Sequence, residues 1–289
     1  MKTNNAYLFI LCMMLVLSCG MMVGCGSSSS ADKTYTGDTV SVEIYKMSDS
    51  SSFVKSSGER CNVIVEASVA IPVKYGKNDD DVKTLNDLIN RYVLDCGDSL
   101  TIKDGVVHML NGTLHQYDFS DAPDDNEIIE GDEPTDNAVQ TFTTSINIYV
   151  IYNKFNVLTL CKVEMLKKDD QVSSISHKYY NFDMKNHCFI DLNKVFNEDA
   201  LSMVNNELRN ELKRSNKVSN DDQLNELGYY NIDNLNVTNN FYFEDKGITW
   251  SYLPNELAVE ALGEPKVTMP YEVLEPYINE KSVIKYIQY

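Results

Sequence analysis

The side chains best suited to chemistry in this sequence are four histidines and a large excess of carboxylates. His108, His115, His177 and His187 are far apart, and none belongs to H-E-x-x-H or another spacing typical of metal ligands. The chain also lacks the G-x-S-x-G motif of serine hydrolases and a glycine-rich loop that would hold phosphate at the start of a helix. We therefore predict no catalytic residue, no metal site and no cofactor.

Two carboxylates alone can hydrolyse a glycosidic bond if they are held at the right distance. Asp183 and Glu256 form a candidate pair, chosen from 43 acidic residues. Each also has a structural interpretation, Asp183 as a turn or cap residue and Glu256 as an acid in the first turn of a helix. An envelope polysaccharide hydrolase, or an enzyme associated with a deacetylase, is therefore the alternative to a non-catalytic function.

The negative charge is concentrated in one stretch. The 289 residues carry a formal net charge of -18, yet residues 104–153 contain ten acids and no Lys or Arg. With Pro123 and Pro134 this composition predicts a long loop, either a solvated insertion or an attractant for a cationic partner. The charge also argues against binding of nucleic acid. The acids of this acidic loop, 118–136, are Asp118, Asp121, Asp124, Asp125, Glu127, Glu130, Asp132, Glu133 and Asp136.

The first thirty residues indicate export. Lys2 precedes an apolar run at 6–17, which fits the core of a signal peptide and is short for a membrane span. Cys25 follows Gly24 and precedes the serines 27–30, a pattern that resembles the lipobox of bacterial lipoproteins. We predict that Cys25 carries lipid and that the protein is an exported bacterial lipoprotein, membrane-anchored on the extracytoplasmic side.

Four cysteines remain in the mature chain, Cys61, Cys96, Cys161 and Cys188. They are widely spaced and include no C-x-x-C, so a zinc site is not expected. They permit two disulfides in three connectivities. Cys161 lies in a strand-like apolar run, which slightly favours buried thiols over disulfides.

Hydrophobic periodicity predicts an α+β fold rather than a doubly wound one. Strands are predicted at 39–45, 61–73, 145–152, 155–165, 178–183, 189–192, 240–244, 247–252 and 267–269, with a hairpin at 99–117 around Asn111-Gly112. Helices are predicted after Asn78, from about Glu198, at 253–262 and at 271–278. The predicted organisation is a signal peptide at 1–24, a flexible tether at 25–38, and two mixed domains at 39–168 and 169–289, each an antiparallel sheet covered by one or two helices.

The C-terminal half resembles a known family over roughly a hundred residues. It is similar to the extracellular domain of RsiV-type anti-sigma factors, which also occurs beside peptidoglycan deacetylase domains and in envelope lipoproteins. Asn255 and Glu260 stand where that family often has aromatic residues, and the preceding half is similar to the usual N-terminal partner domain. The residues that carry the resemblance are Tyr180-Asn181-Phe182-Asp183, Asp191-Leu192, Val195-Phe196, Gly247-Ile248-Thr249-Trp250-Ser251-Tyr252, Pro254, Glu256, Leu257-Ala258, Ala261, Gly263, Pro270-Tyr271 and Leu274.

The resemblance implies recognition of a ligand at the cell surface, and more specifically of lysozyme, which is cationic. We predict a non-catalytic, lipid-anchored cell-envelope binding protein, whose ligand is cell-wall glycan such as peptidoglycan or a cationic protein such as lysozyme. Tyrosine combines a flat apolar face with a hydroxyl group, which suits either ligand. The candidate binding surface comprises Tyr179, Tyr180, Asp183, Glu256 and Tyr271.

Overall fold

The computed structural model describes residues 38–54, 59–76, 79–97, 100–117 and 139–287. The predicted signal peptide, Cys25 and the acidic loop 118–136 lie outside the described residues. Within the described part of the chain, no helix has both the length and the apolar character needed to span a membrane.

A six-stranded sheet, in the order β1 to β6, forms the larger part of the fold. Its strands pair antiparallel except for β2 and β3, which are parallel. A parallel pair needs a crossover connection, and two helices provide it between β2 and β3. The strands are β1 (Ser41–Val54), β2 (Arg60–Lys74), β3 (Gln140–Lys154), β4 (Val157–Lys168), β5 (Gln171–Asp183) and β6 (Cys188–Ile190).

The crossover helices are α1 (Asp79–Tyr92) and α2 (Ile102–His115), which pack their buried residues on one face of the sheet. The predicted hairpin at 99–117 is wrong, because α2 occupies this segment. Thr101 caps the helix, its side chain accepting a hydrogen bond from Asp104 N at 3.2 Å. Ile102, Val106, Leu110 and Leu114 recur at helical spacing and are buried against the sheet.

The C-terminal half adds a three-stranded antiparallel sheet, in the order β7-β8-β9, and short helices. Its strands are β7 (Phe241–Phe243), β8 (Gly247–Ser251) and β9 (Lys266–Pro270). Its α-helices are α3 (Leu192–Val195), α4 (Leu201–Ser215), α5 (Asp221–Glu226) and α6 (Tyr271–Leu274). The 3-10 turns are Glu198–Ala200, Ile232–Asn234, Glu260–Leu262, Glu275–Tyr277 and Val283–Tyr286.

Most predicted elements of this half are confirmed, including the hairpin of β7 and β8 and the strand β9. The predicted helix at 253–262 is reduced to the 3-10 turn Glu260–Leu262, which ends at Gly263 with a φ of +68°. Gly247 is required where β8 approaches β9, since a Cβ there would lie 2.2 Å from Met269 O.

Two hydrophobic cores stabilise the fold. One lies between the crossover helices and the larger sheet, and includes Tyr180 and Phe182 of β5. The other surrounds Trp250 in the C-terminal half and includes Tyr152 and Val157 of the larger sheet. The predicted α+β class is therefore confirmed. The division into domains stays a prediction, and its boundary after residue 168 falls at the turn between β4 and β5.

Candidate functional site

The candidate site lies beside β5. Along part of this strand, side chains of the C-terminal half form hydrogen bonds with its backbone in place of a neighbouring strand. Strand β6 pairs with only Asn181–Asp183 of β5. Before this point, Asn240 Oδ1 accepts a hydrogen bond from Tyr179 N at 3.0 Å, and Asn240 Nδ2 donates to His177 O at 3.2 Å. Glu264 Oε1 accepts a hydrogen bond from His177 N at 3.0 Å. Because buried backbone groups need partners, these side chains fix the C-terminal half against β5.

A cavity of about 540 Å³ opens at this edge, and we call it the β5 cleft. Its volume falls within the range of about 300–1,000 Å³ that is typical of small-ligand sites. Strands β4 and β5 contribute Lys162, Glu164, Ser176, His177, Lys178 and Tyr180 to its lining, and the C-terminal half contributes Thr238, Asn240, Ser251, Leu253 and Glu256.

The β5 cleft contains two lysines and two carboxylates. Lys162 Nζ lies 2.7 Å from Glu164 Oε1, and Lys178 Nζ lies 5.3 Å from the ring centre of Tyr180. Glu256 is exposed, and its Oε2 accepts a hydrogen bond from Leu253 N at 2.9 Å. The cleft thus combines hydrogen-bond donors and acceptors without an excess of either charge.

The buried polar groups that border the cleft include His177 Nδ1, which lies 2.8 Å from Glu264 Oε2, and the Ser251 hydroxyl. Ser251 is 2% exposed, and among the described residues its Oγ has no hydrogen-bond partner. Thr249, two residues earlier on β8, is equally buried, but its Oγ1 lies 2.7 Å from Glu244 Oε1 and 2.7 Å from Thr268 Oγ1. Buried polar groups are normally paired, whereas the Ser251 hydroxyl, unpaired among the described residues, lies in the wall of the cleft, shielded from solvent.

The structure brings together two of the five residues predicted as a binding surface. Tyr180 and Glu256 both line the β5 cleft. Tyr179 does not, because its ring packs against that of Tyr242, with the ring centres 4.5 Å apart. Tyr179 is 4% exposed, and its Oη accepts a hydrogen bond from Lys266 Nζ at 3.1 Å.

Asp183 and Tyr271 do not lie on the surface either. Asp183 Oδ1 accepts hydrogen bonds from Lys185 N at 3.0 Å and Asn186 N at 2.9 Å, which is the turn role that the sequence also suggested. Tyr271 is fully buried, and its hydroxyl donates to Glu244 O at 2.9 Å. Asp183 is not among the residues that line the β5 cleft, so the predicted pair of Asp183 and Glu256 is not assembled there.

The opposite face of β5 carries a packed cluster, which we call the tyrosine cluster: Tyr149, Cys161, Tyr179, Tyr242 and Lys266. The rings of Tyr179 and Tyr242 are 4.5 Å apart, and Lys266 Nζ lies 5.7 Å and 5.8 Å from their centres. Burial raises the pKa of Tyr242 to about 12, and it also raises the pKa of the Cys161 thiol. A buried thiol with a raised pKa is a poor nucleophile, so these residues serve packing.

Several residues of the cleft carried no signal in the sequence. Lys162, Lys178 and Asn240 belong to no recognised spacing, and they come from strands and connections far apart in the chain. Ser251 lies in a segment that carries the family resemblance, but it is not among the predicted site residues. The alternation of β4 and β5 could have placed Lys162 and Lys178 on the face of Tyr180. Among the described residues, no group of three or more His, Cys, Asp or Glu side chains could hold a metal ion.

In a comparison with known proteins, part of the C-terminal half matches a domain family. Residues 193–272 match the family model described as protein of unknown function (DUF3298). A solved structure of a DUF3298 family member from Bacteroides fragilis NCTC 9343 is similar with a TM-score of 0.65 and 18% identity, covering 87% of this chain and 99% of that one. A DUF3298 family protein from Pseudomonas aeruginosa PAO1 is similar with a TM-score of 0.50 and 11% identity, covering 85% and 97%.

At these identities the two structures establish a shared fold and nothing about a ligand. Their coverage extends beyond the DUF3298 region to most of the chain. No curated protein matches the chain significantly.

Proposed function

We propose that this protein is a lipid-anchored, non-catalytic binding protein of the bacterial cell envelope that recognises cell-wall glycan in the β5 cleft. The observation that carries the proposal is the β5 cleft itself, a cavity of about 540 Å³ lined by opposite charges and hydrogen-bonding side chains. The export signal and lipidation at Cys25, both predicted from sequence, supply the location. The resemblance to RsiV-type domains supports recognition of a ligand at the cell surface.

The chemistry of the cleft favours a saccharide. Glycans present many hydroxyl and amide groups, each able to donate or accept a hydrogen bond. The cleft offers Ser176 and Lys178 as donors and Glu164 and Glu256 as acceptors. Their opposite charges balance, which disfavours a strongly charged ligand at this position.

Calorimetry of the full chain with soluble peptidoglycan glycan strands tests the proposal. Ser176→Ala removes a half-buried hydroxyl of the cleft lining and is expected to weaken binding about two- to tenfold, since a net hydrogen bond contributes roughly 0.5–1.5 kcal/mol. Glu256→Gln keeps an oxygen for Leu253 N and is expected to weaken binding by about tenfold or more, because bonds to charged groups are stronger. Ser202→Ala and Glu226→Gln change exposed side chains outside the cleft lining and serve as matched controls.

A cationic protein such as lysozyme is the second candidate ligand, favoured by the net charge of -18. Lys162 and Lys178 make the cleft itself a poor match for a cation, so this version depends on the rest of the surface. Titration with lysozyme at low and high salt separates the two. Binding to lysozyme that is screened by salt and indifferent to Ser176→Ala, without binding to glycan, would reject the glycan proposal.

The enzyme alternative also has one specific observation in its favour, since Glu164 and Glu256 line the same cavity. Release of soluble sugar from peptidoglycan by the wild-type chain, abolished by Glu256→Gln, would replace the binding proposal with a hydrolase. We expect binding without release.

A further inference from the structure

A second cavity, of about 300 Å³, lies against helix α2, and we call it the α2 cavity. Helix α2 contributes His108 and Gly112, and strand β3 contributes Thr144. The exposed imidazole of His108 is therefore part of a concave surface. The other polar lining residues are Asp95, Thr113, Gln116, Tyr117, Lys162 and Glu164.

Lys162 and Glu164 line both cavities. They are alternate residues of β4 and so lie on one face of the sheet, the face that also carries Tyr180 across the β4–β5 pair. The two side chains form an ion pair at 2.7 Å. The Lys162 side chain is 16% exposed and the Glu164 side chain is 43% exposed. A ligand that fills the β5 cleft therefore reaches the α2 cavity by crossing this ion pair.

The two cavities are chemically alike. The α2 cavity supplies an imidazole, an amide and hydroxyl groups, and Tyr117 Oη lies 2.8 Å from Thr144 Oγ1. Across both cavities the lining includes the carboxylates of Asp95, Glu164 and Glu256 and two lysines. This near balance of charge favours a sparsely charged polymer rich in hydroxyl and amide groups over a nucleic acid or a strongly basic peptide.

We propose that the β5 cleft and the α2 cavity are two subsites of one groove, which binds an extended glycan strand across the ion pair of Lys162 and Glu164. This inference rests on the proposed function and adds that the ligand is a polymer rather than a single sugar unit. The affinity then depends on the length of the strand, because only a longer strand contacts both cavities at once.

Gly112 provides a way to block the α2 cavity without damaging the fold. It lies within α2, lines the cavity, and a Cβ added to it meets no atom within 4 Å. A leucine at this position would place its side chain in the cavity and improve the intrinsic helix propensity. Gly112→Ala has the same backbone effect with little added volume, so it is the matched control for Gly112→Leu.

The experiment is calorimetry of the full chain with peptidoglycan glycan strands that lack stem peptides, from disaccharide to octasaccharide. For the wild type we expect affinity to rise about tenfold or more with length, a gain of roughly 1.4 kcal/mol per tenfold. Gly112→Leu should abolish this gain while leaving the disaccharide affinity unchanged, and Gly112→Ala should behave as the wild type.

Three results would overturn the inference and leave the proposed function standing: no gain with length in the wild type, an undiminished gain in Gly112→Leu, or an equal loss for the disaccharide in that variant. Failure of the wild type to bind any strand would instead reject the proposed function, and with it this extension. Binding to stem peptides alone would reject the glycan as the ligand class of both cavities.

Discussion

The two sides of strand β5 differ in how their polar atoms are paired. Tyr179 faces the tyrosine cluster, where Lys266 Nζ donates to its hydroxyl. Tyr180, the next residue, lines the β5 cleft, where the side chains of Lys178 and Glu256 are exposed. One side therefore holds the C-terminal half in place, and the other retains bonding capacity for a ligand. Burial alone does not reveal this difference, since both tyrosines are buried.

The largest expected effect is that of Tyr179→Ala on stability. Removing a buried aromatic side chain leaves a cavity and should lower the free energy of unfolding by about 3–5 kcal/mol. Tyr179→Phe keeps the ring and loses the hydroxyl that Lys266 Nζ bonds, so it should cost about 1.5–3 kcal/mol, because the donor is charged. Urea unfolding followed by circular dichroism measures both. A loss below about 1 kcal/mol for Tyr179→Ala would contradict a packing role for this side of β5.

A smaller effect is expected from pH at the same side of β5. The pKa of Tyr242 is raised from 10.0 to about 12 by burial, with a further contribution from Glu244. Below pH 10 the phenol is neutral in both states. Between pH 10 and 12 the unfolded chain releases this proton while the folded protein keeps it, so the free energy of unfolding falls as pH rises, by about 1–2 kcal/mol.

Tyr242→Phe should remove that part of the decline, because phenylalanine has no proton to release. Urea unfolding of both proteins at intervals from pH 9 to 12 measures the difference in slope. If the free energy of unfolding falls equally with pH in the variant and the wild type, the pKa of Tyr242 is the same in the folded and unfolded states. That result would contradict its place in the packed cluster.

The smallest effect on stability is expected on the cleft side. Ser251→Ala removes a hydroxyl that has no partner among the described residues, so the free energy of unfolding should change by less than about 0.5 kcal/mol. Thr249→Val, its counterpart on the same face of β8, leaves the partners Glu244 and Thr268 unsatisfied and should cost about 1–3 kcal/mol. Thermal unfolding compares the two, and equal losses would remove the distinction drawn for Ser251.

Local patterns predicted much of the fold. Alternation identified β2 and the strand pair β3–β4, and helical spacing identified α1 and α4. The structure extends several of these strands beyond their predicted ends, because pairing with neighbours continues into polar residues. Strand β1, for example, runs to Val54 alongside β2.

The error at α2 has a local cause. Asn111-Gly112 is a strong hairpin signal, yet here both residues lie within a helix. Thr101 and Asp104 have the spacing of a helix cap, and Val106, Leu110 and Leu114 have helical spacing. These signals predict the helix correctly, and burial against the sheet outweighs the cost of Gly112 in its interior. The same helix makes β2 and β3 parallel.

The candidate site was predicted less well than the fold. Of the five predicted residues, only Tyr180 and Glu256 line the β5 cleft. The other three, Tyr179, Asp183 and Tyr271, are buried and have partners inside the chain. A short sequence motif does not show whether a residue is buried or exposed. Tyr179 and Tyr180 point to opposite faces of β5, and this could have been inferred from strand geometry alone.

The sequence by itself determined the α+β class, most of the elements and the overall negative charge, because these depend on composition and on contacts between residues close in the chain. Only the tertiary structure decided that Lys162 of β4, Tyr180 of β5 and Ser251 of β8 border one cavity. Their proximity depends on how Asn240 and Glu264 pair with the backbone of β5. Such long-range pairing follows from the packing of whole elements, and no local periodicity encodes it.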